Sequence, residues 1–504
     1  MPTVPLEGLS LSAGPYRIDE RTRGDLTVRT FLFADNQHLA PRYLDASLRH
    51  LERFSNRFGS YPFDSFSVVE NFFPTGYGFP SYTLIGGTVL RLPFIPETSL
   101  PHEIIHNWWG NGVLVDASTG NWCEGLTTYT ADYLLKESLS AEAAQAYRRQ
   151  ALRNYATLVS PSTDFSLSRF RSRIDPPTKA VGYDKASMVF HMLRQKIGDE
   201  PFWQALRDLY ARFLFKTASW EDLQRTFQKF ADQPLDDFFD QWITRPGAPH
   251  LRLEKVRHKA VTDGYLTTGR VIQEKPYFDV TLQLMLETAE APVRRAVHLS
   301  GRYTSFAISS TQRPRRLIGD PQFHLFRRLA PEEMPPTVNT LKGSPSVIVV
   351  IADRLGRHGH AIAGQLSQAM GIDPVAWMSE SDVSASNVSG SDVLFIGLPQ
   401  HHDIMQRMSL PLDLNPTAFG VDQQQFSGDR EVLFFVARHP DDPGHIVAML
   451  HPLSTEAVLP VIRKVPHYGR YSYLVFSNGR NRVKGTWEAD QSPLIIDLET
   501  TDHP

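Results

Sequence analysis

Cysteine is nearly absent from this 504-residue sequence, which contains Cys123 alone. A single cysteine excludes an internal disulfide and cannot by itself build a cysteine-rich metal site. An excess of charge of one sign is also lacking, because 52 basic and 55 acidic residues leave a formal net charge of −3. Polyphosphate partners require a basic surface, so we expect no nucleic-acid partner.

Long hydrophobic runs are missing as well. Val347–Ala352 is among the longest strongly apolar runs, whereas a membrane-spanning helix needs about 20 apolar residues. We therefore expect no membrane span. Met1–Glu7 has neither the basic region nor the apolar stretch of a secretory signal. The chain as it stands is expected in the cytoplasm, and outside it if residues are missing ahead of Met1.

The hydrophobic pattern predicts an α+β multidomain protein. Residues 1–34 contain alternating runs and are predicted to be the last strands of an incomplete N-terminal β-domain. Residues 35–246 begin with a helical pattern that ends near Gly59, continue with two short apolar strands, and are mainly helical from Ser99 to about Asp240. This region is predicted to be one domain.

Two further domains are predicted beyond it. Residues 247–335 alternate between apolar and polar side chains, which indicates a small β-sandwich-like domain. Residues 336–504 alternate between strand and helix patterns, which indicates an α/β domain, and its role is unknown.

A metal-binding pattern lies in the helical region. In His102-Glu103-Ile104-Ile105-His106, the two imidazoles are four residues apart, so on a helix they project from one face and can share a cation. A catalytic zinc site needs three protein ligands and one open position. Glu124, which begins the next helical segment after a glycine-containing loop, is the best third ligand. Glu103 is at the rim of the same helix face and suits a general base.

At these residues the chain closely resembles the membrane alanyl aminopeptidase family of gluzincins. The family's His-Glu-x-x-His and Trp-x-Gly-Asn motifs match His102 to Asn111, and its Asn-Glu-Gly motif is similar to Cys123-Glu124-Gly125. The resemblance implies a thermolysin-like, mainly helical catalytic domain. It also implies one Zn²⁺ ion held by His102, His106 and Glu124, with Glu103 as the catalytic carboxylate.

A third motif supplies another candidate residue. Tyr183-Asp184-Lys185-Ala186-Ser187 is similar to the family's Tyr-x-Lys-Gly-Ala, in which the tyrosine hydroxyl stabilises the oxyanion. The resemblance therefore implies this catalytic role for Tyr183.

One family motif is altered upstream of the helix. Where the family carries Gly-x-Met-Glu-Asn, whose glutamate binds the free α-amino group of the substrate, this chain has Gly76-Tyr77-Gly78-Phe79-Pro80. We expect Gly76, Tyr77, Gly78 and Phe79 still to bind the substrate backbone by strand addition. Glu70 is a candidate to replace the missing carboxylate.

These observations predict zinc-dependent, aminopeptidase-like hydrolysis of peptide bonds. Two alternatives stay open: a zinc hydrolase acting on a non-peptide electrophile such as an epoxide, and a weakly catalytic peptide-binding scaffold. Cleavage at chain ends or within chains, the side-chain preference and the oligomeric state are also left open.

Overall fold

A five-stranded sheet begins the described part of the chain. The computed structural model describes residues 11–499 apart from residues 75, 385–387, 389, 401–402, 409, 443 and 488–490. In spatial order, the strands of this first sheet are Arg17–Arg23, Leu26–Leu32, Ser65–Asn71, Tyr82–Gly86 and Gly76–Phe79. We call Gly76–Phe79 the edge strand, because it lies at one end of the sheet.

The pairing of the first two strands shows that the predicted domain boundary at residue 34 is wrong. Leu26–Leu32 pairs in parallel with Ser65–Asn71, which belongs to the region predicted as the next domain. Because backbone hydrogen bonds join the two strands, the described part of residues 1–34 belongs to that domain's sheet. The start of the predicted alternating run, Leu9 and Ser10, lies outside the described residues.

A long helix, Ala40–Phe58, follows, with Pro41 in its first turn. Leu44, Leu48, Leu51 and Phe54 are buried at the helical spacing that the sequence predicts. The helix ends at Gly59, whose φ of 123° is readily accessible only to glycine.

Helices dominate the chain from residue 87 to residue 244. The α-helices are Gly87–Leu90, Ser99–Ile105, Cys123–Thr127, Leu134–Glu137, Ala141–Leu158, Pro176–Lys179, Ala186–Ile197, Asp199–Phe213, Trp220–Gln228 and Asp236–Phe239. Three stretches have π-helical hydrogen bonding: Thr128–Tyr133, Ala180–Lys185 and Asp240–Thr244. Short 3₁₀ helices are Ala34–Leu39, Ile95–Glu97 and Leu167–Arg169, and the strands Leu114–Val115 and Thr217–Ala218 pair with each other.

Two antiparallel sheets follow the helical region. One has the strand order Tyr303–Ser310, Gly264–Gln273, Leu251–Val261; the other has the order Val293–Leu299, Val280–Glu287, Arg316–Gly319, Ile495–Asp497. Val280, Leu282, Leu284 and Leu286 are buried in alternation, which matches the predicted pattern for this region.

The position of the strand Ile495–Asp497 shows that the predicted end of the C-terminal domain is wrong. Ile495–Asp497 pairs with Arg316–Gly319, and the flanking Leu494 and Leu498 are buried. The chain accordingly divides into two compact units, Met1–Arg328 with Pro493–Pro504, and Leu329–Ser492. The prediction of one continuous domain over residues 336–504 missed this return, because a short apolar run does not indicate which sheet it joins.

The second unit is built on a seven-stranded sheet. Its strand order is Ala376–Ser379, Val347–Ile351, Asp392–Ile396, Ile446–Pro452, Glu431–Arg438, Tyr473–Ser477, Arg480–Gly485. The first four strands are parallel and the last three are antiparallel to their neighbours. Separate buried clusters cover the two faces of this sheet, as expected for a parallel sheet in an α/β unit.

The remaining elements of this unit are short, apart from the helix Gly356–Met370. The other helices are Val338–Lys342, Asp403–Arg407 and Leu459–Ile462, with 3₁₀ helices at Pro331–Glu333, Asp353–Leu355, Glu380–Asp382 and Val465–Tyr468. A three-stranded sheet contains Leu412–Asn415, Ala418–Val421 and Gln424–Phe426. Among all the helices described in the chain, none is both long enough and apolar enough to cross a membrane.

Candidate metal centre

The helix Ser99–Ile105 carries the first two predicted ligands, and we call it the histidine helix. Leu100, Ile104 and Ile105 are buried, which holds this short helix in the core. His102 lies on it and His106 caps its C-terminus, so the two imidazole ring centroids are 5.1 Å apart. The fully buried Trp108 donates from Nε1 to the Gly59 carbonyl at 2.9 Å and anchors the end of the helix.

A second helix carries Glu124. It begins at Cys123, whose backbone N–H donates to Asn121 Oδ1 at 3.0 Å, and it packs closely against the helix Ala186–Ile197. A Cβ atom at Gly125 would lie only 2.3 Å from Ala186 Cβ, so glycine permits this approach. The packing turns Glu124 toward the histidine helix.

The three side chains converge on one point. Glu124 Oε2 is 3.7 Å from His102 Nε2 and 3.6 Å from His106 Nε2. One ligand atom from each residue lies within 4.8 Å of the other two. Ligands bound tetrahedrally to Zn²⁺ at about 2.0–2.1 Å would be separated by roughly 3.3–3.4 Å, close to the observed distances.

The hydrogen bonding of these groups also fits a cation. The second ring nitrogen of each histidine is engaged: His102 Nδ1 lies 3.0 Å from Asp132 Oδ2, and His106 Nδ1 lies 3.2 Å from the Trp109 carbonyl oxygen. Both Nε2 atoms therefore face Glu124 Oε2, a buried oxygen with no hydrogen-bond partner among the described residues. A buried carboxylate oxygen without a partner is costly unless a cation compensates it.

Burial and the neighbouring charges shift the pKa values of Glu124 and His102. Burial alone would raise the pKa of Glu124, but His102 first, and then His106 and Tyr183, lower it to about 2. Burial alone would lower the pKa of His102, but the surrounding carboxylates, that of Asp132 foremost, raise it well above the ordinary value. Glu124 is therefore anionic at neutral pH, as a metal ligand must be.

Asp132, which accepts from His102, is not among the residues predicted from the sequence. Glu124 and Asp132 are eight residues apart, which on a regular α-helix leaves them about 80° apart around the axis. The π-helical stretch Thr128–Tyr133 adds one residue to a turn and reduces this angle to about 20°. A regular helical pattern therefore does not predict that these two carboxylates lie on the same side of the helix.

Glu103 lies beside the edge strand. A Cβ atom at Gly76 would be 3.1 Å from Glu103 Oε1, and one at Gly78 would be 3.1 Å from both Glu103 Oε2 and His106 Cβ. Glycine at both positions thus lets the strand pass against the histidine helix. The approach is fixed by Asn107, whose Oδ1 accepts from the Ser81 backbone N–H at 2.9 Å. Burial raises the pKa of Glu103.

The other two predicted substrate-binding residues, Tyr77 and Phe79, lie on the same edge strand. Tyr77 is 53% exposed, and Phe79 stacks on Tyr82 with ring centroids 4.9 Å apart. Glu70, the candidate replacement for the missing carboxylate, is buried and accepts from the Phe33 backbone N–H and from Asn36 Nδ2. Because these bonds hold Glu70 inside the sheet, it does not serve as an anchor for a substrate amine.

Tyr183 lies on the π-helical stretch Ala180–Lys185, next to the ligands. Its ring is nearly parallel to that of His102, with centroids 6.4 Å apart, and it packs edge-on against Phe170. Burial, followed by the negative charge of Glu124, raises the pKa of Tyr183. The hydroxyl therefore stays protonated at neutral pH and can donate a hydrogen bond.

A second helix thus brings a glutamate to the two histidines, an arrangement similar to that of the gluzincins. Residues 97–242 match the family model described as the peptidase family M1 domain.

Curated relatives are similar over parts of the chain. Aminopeptidase M1-B of Oryza sativa subsp. japonica is 27% identical over 157 residues, which cover 30% of this chain and 18% of that protein. Aminopeptidase M1-D of the same species is 24% identical over 233 residues, 43% of this chain and 26% of that protein. Aminopeptidase 2, mitochondrial, of Saccharomyces cerevisiae is 22% identical over 278 residues, 51% of this chain and 29% of that protein. The matches thus span less than a third of each relative.

Proposed function

We propose that this protein is a zinc-dependent metallopeptidase that hydrolyses peptide bonds. His102, His106 and Glu124 would hold one Zn²⁺ ion. The observation that carries the proposal is the convergence of two free imidazole nitrogens on Glu124 Oε2, a buried oxygen without a hydrogen-bond partner among the described residues. The match to the peptidase family M1 domain supports the same conclusion, because the matched residues 97–242 of this chain include both helices that carry the predicted ligands.

When bound in such a site, zinc lowers the pKa of water and polarises a carbonyl group. Glu103 would take a proton from the attacking water and pass it to the amine that leaves. Its carboxylate is suited to this shuttle, because a pKa raised by burial brings proton uptake closer to neutral pH.

Tyr183 and the edge strand would serve the substrate. The protonated Tyr183 hydroxyl, next to Glu124, would donate a hydrogen bond to the carbonyl oxygen as that oxygen gains negative charge. The edge strand would hold the peptide backbone beside Glu103, because Gly76 and Gly78 lie against that carboxylate.

The test is the variant Glu103→Gln. We expect turnover of peptides to fall by about 10²–10⁴-fold, because proton transfer by a positioned side chain contributes on that order. Zinc content and thermal stability should stay at wild-type levels, because Glu103 is not one of the three converging ligands. Glu142→Gln, an exposed position in the first turn of the helix Ala141–Leu158, is the matched control and should keep full activity. Wild-type activity in Glu103→Gln would refute the proposed mechanism.

A further inference from the structure

A cavity of about 740 Å³ lies within the second unit, and all the residues that line it fall between Glu332 and Gln491. None of them belongs to the candidate metal centre or to the matched residues 97–242. Binding sites for small molecules commonly have volumes of about 300–1,000 Å³, with apolar walls and a few polar groups. We call this space the second-unit cavity.

The floor of the cavity results from a change in side-chain size along one strand. Leu433, Phe435 and Ala437 alternate along the strand Glu431–Arg438 and belong to one buried apolar cluster. Ala437 lines the cavity, whereas the larger Leu433 and Phe435 do not. The small side chain of Ala437 therefore leaves room for an apolar group at the end of an apolar sheet face.

Two aromatic rings form a wall of the cavity. Tyr473 and Trp487 stack with ring centroids 4.4 Å apart, and both line the cavity. Trp487 Nε1 donates to the Val436 carbonyl oxygen at 2.8 Å, which fixes the orientation of the indole. The wall therefore offers a rigid aromatic surface on which a flat or apolar ligand body can pack.

His439 supplies a hydrogen-bond donor. Its side chain is only 9% exposed and lines the cavity. Its Nδ1 accepts from the Asp441 backbone N–H at 3.2 Å. Because a backbone N–H can only donate, the proton of the neutral ring is on Nε2. Among the residues that the structure describes, none accepts from Nε2, and a buried donor without an acceptor is unfavourable.

Arg407 supplies further donors near His439. Both residues also line a neighbouring cavity of about 190 Å³, so they lie where the two cavities meet. Arg407 Nη2 is 2.8 Å from Asp441 Oδ2, and this carboxylate offsets the charge of the guanidinium. A guanidinium carries five N–H donors, so the ion pair leaves donors for a ligand. Together with His439 Nε2–H, they suit the two oxygens of a ligand carboxylate.

The other end of the cavity carries a negative charge. Asp422 lines the cavity there, and its Oδ2 accepts from the Tyr473 hydroxyl at 2.7 Å. Tyr473 pairs with Phe435, and His439 follows Phe435 at a distance of about 13 Å along an extended strand. A ligand carboxylate therefore meets donors at the His439 end and a like charge at the Asp422 end.

We propose that the second-unit cavity binds a small amphipathic organic acid. Its carboxylate accepts from His439 and Arg407, and its apolar, aromatic body lies over Ala437 against Trp487. The inference concerns the second unit and does not depend on the proposed peptidase function. It gives this α/β unit, whose role the sequence leaves open, a ligand-binding function.

Calorimetric titration of the full chain with N-acetyl-phenylalanine tests the ligand class. We expect saturable binding with a Kd on the order of 0.1 mM, as for a compact ligand of this size. N-acetyl-phenylalaninamide, which lacks the carboxylate, and N-acetylalanine, which lacks the ring, should each bind at least about tenfold more weakly. Absence of binding up to about 5 mM, or equal affinities for the acid and the amide, would overturn the inference.

Variants at the donor end locate the binding. Arg407→Gln, at an exposed position, should weaken binding of N-acetyl-phenylalanine about tenfold. Arg482→Gln, also exposed in the same unit but outside the cavity lining, is the matched control and should bind like the wild type. His439→Leu should weaken binding about tenfold, whereas His439→Gln, which keeps an N–H donor, should weaken it by less than about threefold. Wild-type affinity in Arg407→Gln or in His439→Leu would overturn the assignment of the site.

A variant of the candidate metal centre separates this inference from the proposed function, because a zinc ion can itself bind a carboxylate. Glu124→Ala should bind N-acetyl-phenylalanine within about twofold of the wild type. If Glu124→Ala loses this binding and Arg407→Gln keeps it, the inference fails and the peptidase proposal stands. If the wild type cleaves no peptide but Arg407→Gln weakens binding as expected, the peptidase proposal fails and the inference stands.

Discussion

His102 and His106 each use one ring nitrogen for the protein and turn the other toward Glu124. In a metal-bound centre, these contacts would keep the proton of each ring on Nδ1. For His102 the partner is a carboxylate, Asp132, which fixes the ring orientation and makes the imidazole a better ligand. For His106 the partner is the Trp109 carbonyl, so the loop that follows the histidine helix is part of the candidate metal centre.

We predict that Asp132→Asn weakens zinc binding by about 10–100-fold, because removing a charged partner of a ligating histidine typically has this effect. The asparagine can still accept from His102 Nδ1, so the fold should be retained. Competition with a zinc chelator measures the affinity, and circular dichroism checks the fold. An affinity equal to that of the wild type would show that Asp132 does not orient the ligand.

At the scale of elements, the centre depends on how closely two helices approach. Gly125 follows the predicted ligand Glu124 and lies against Ala186, which belongs to the Tyr183 motif. One contact thus aligns a predicted ligand with the predicted oxyanion donor. In this chain the small residues of Glu124-Gly125 and Tyr183-Asp184-Lys185-Ala186 permit the close approach of the two helices.

We predict that Gly125→Ala lowers the free energy of unfolding by about 1–3 kcal/mol, because the added methyl group overpacks the helix contact. It should also weaken zinc binding, because Glu124 moves with its helix. Gly364→Ala is the matched control: it is also a helical glycine, but a Cβ atom there would meet nothing within 4 Å. The control should be neutral or stabilising by up to about 1 kcal/mol. Denaturant unfolding and chelator competition measure both effects, and equal behaviour of the two variants would contradict the packing argument.

Several elements of the two units were predictable from the sequence, because their hydrophobic spacing is regular. The helix Ala40–Phe58 and the strand Val347–Ile351 follow from apolar spacing alone. The helix Trp220–Gln228 begins at a capping box formed by Ser219 and Asp222, residue types that favour a helix start. The position of Asp132 was not predictable, since it depends on a π-helical turn that has no periodic signature.

At the scale of the whole molecule, long-range pairing was the part that sequence patterns missed. Leu26–Leu32 joins the sheet of the following domain, and Ile495–Asp497 returns to the first unit. Local periodicity identifies a strand, but its partner is set by contacts between residues that are distant in sequence.

The stability of the first unit should depend on pH through a buried histidine pair. His191 Nε2 lies 2.8 Å from His324 Nδ1, and the two rings stack with centroids 5.1 Å apart. Burial, with Arg148 nearby, lowers the pKa of His324 to about 4, and burial also lowers the pKa of His191 well below its ordinary value. Both rings are therefore neutral in the folded protein at neutral pH.

We predict that this pair destabilises the fold as the pH falls from about 6.5 to about 4. In that range the unfolded chain binds protons at these histidines and the folded chain does not, so acid favours unfolding. Between pH 7 and pH 5, the contribution of His324 should lower the free energy of unfolding by about 1–2 kcal/mol, allowing for the partial exposure of this side chain. Denaturant unfolding at several pH values should show a flatter profile for His324→Asn than for the wild type. His38→Asn, an exposed position, is the control, and identical profiles for the wild type and His324→Asn would contradict the prediction.

The central claim is that two imidazoles of one helix and a carboxylate of the next helix bind the same zinc ion. The most direct test is the zinc content per chain, measured by mass spectrometry of elements after chelation, zinc loading and dialysis. The account predicts one zinc ion per chain in the wild type, and none retained by His106→Ala or by Glu124→Ala at unchanged circular dichroism. A wild-type protein that remains metal-free after loading, or a Glu124→Ala variant that retains zinc as the wild type does, would contradict it.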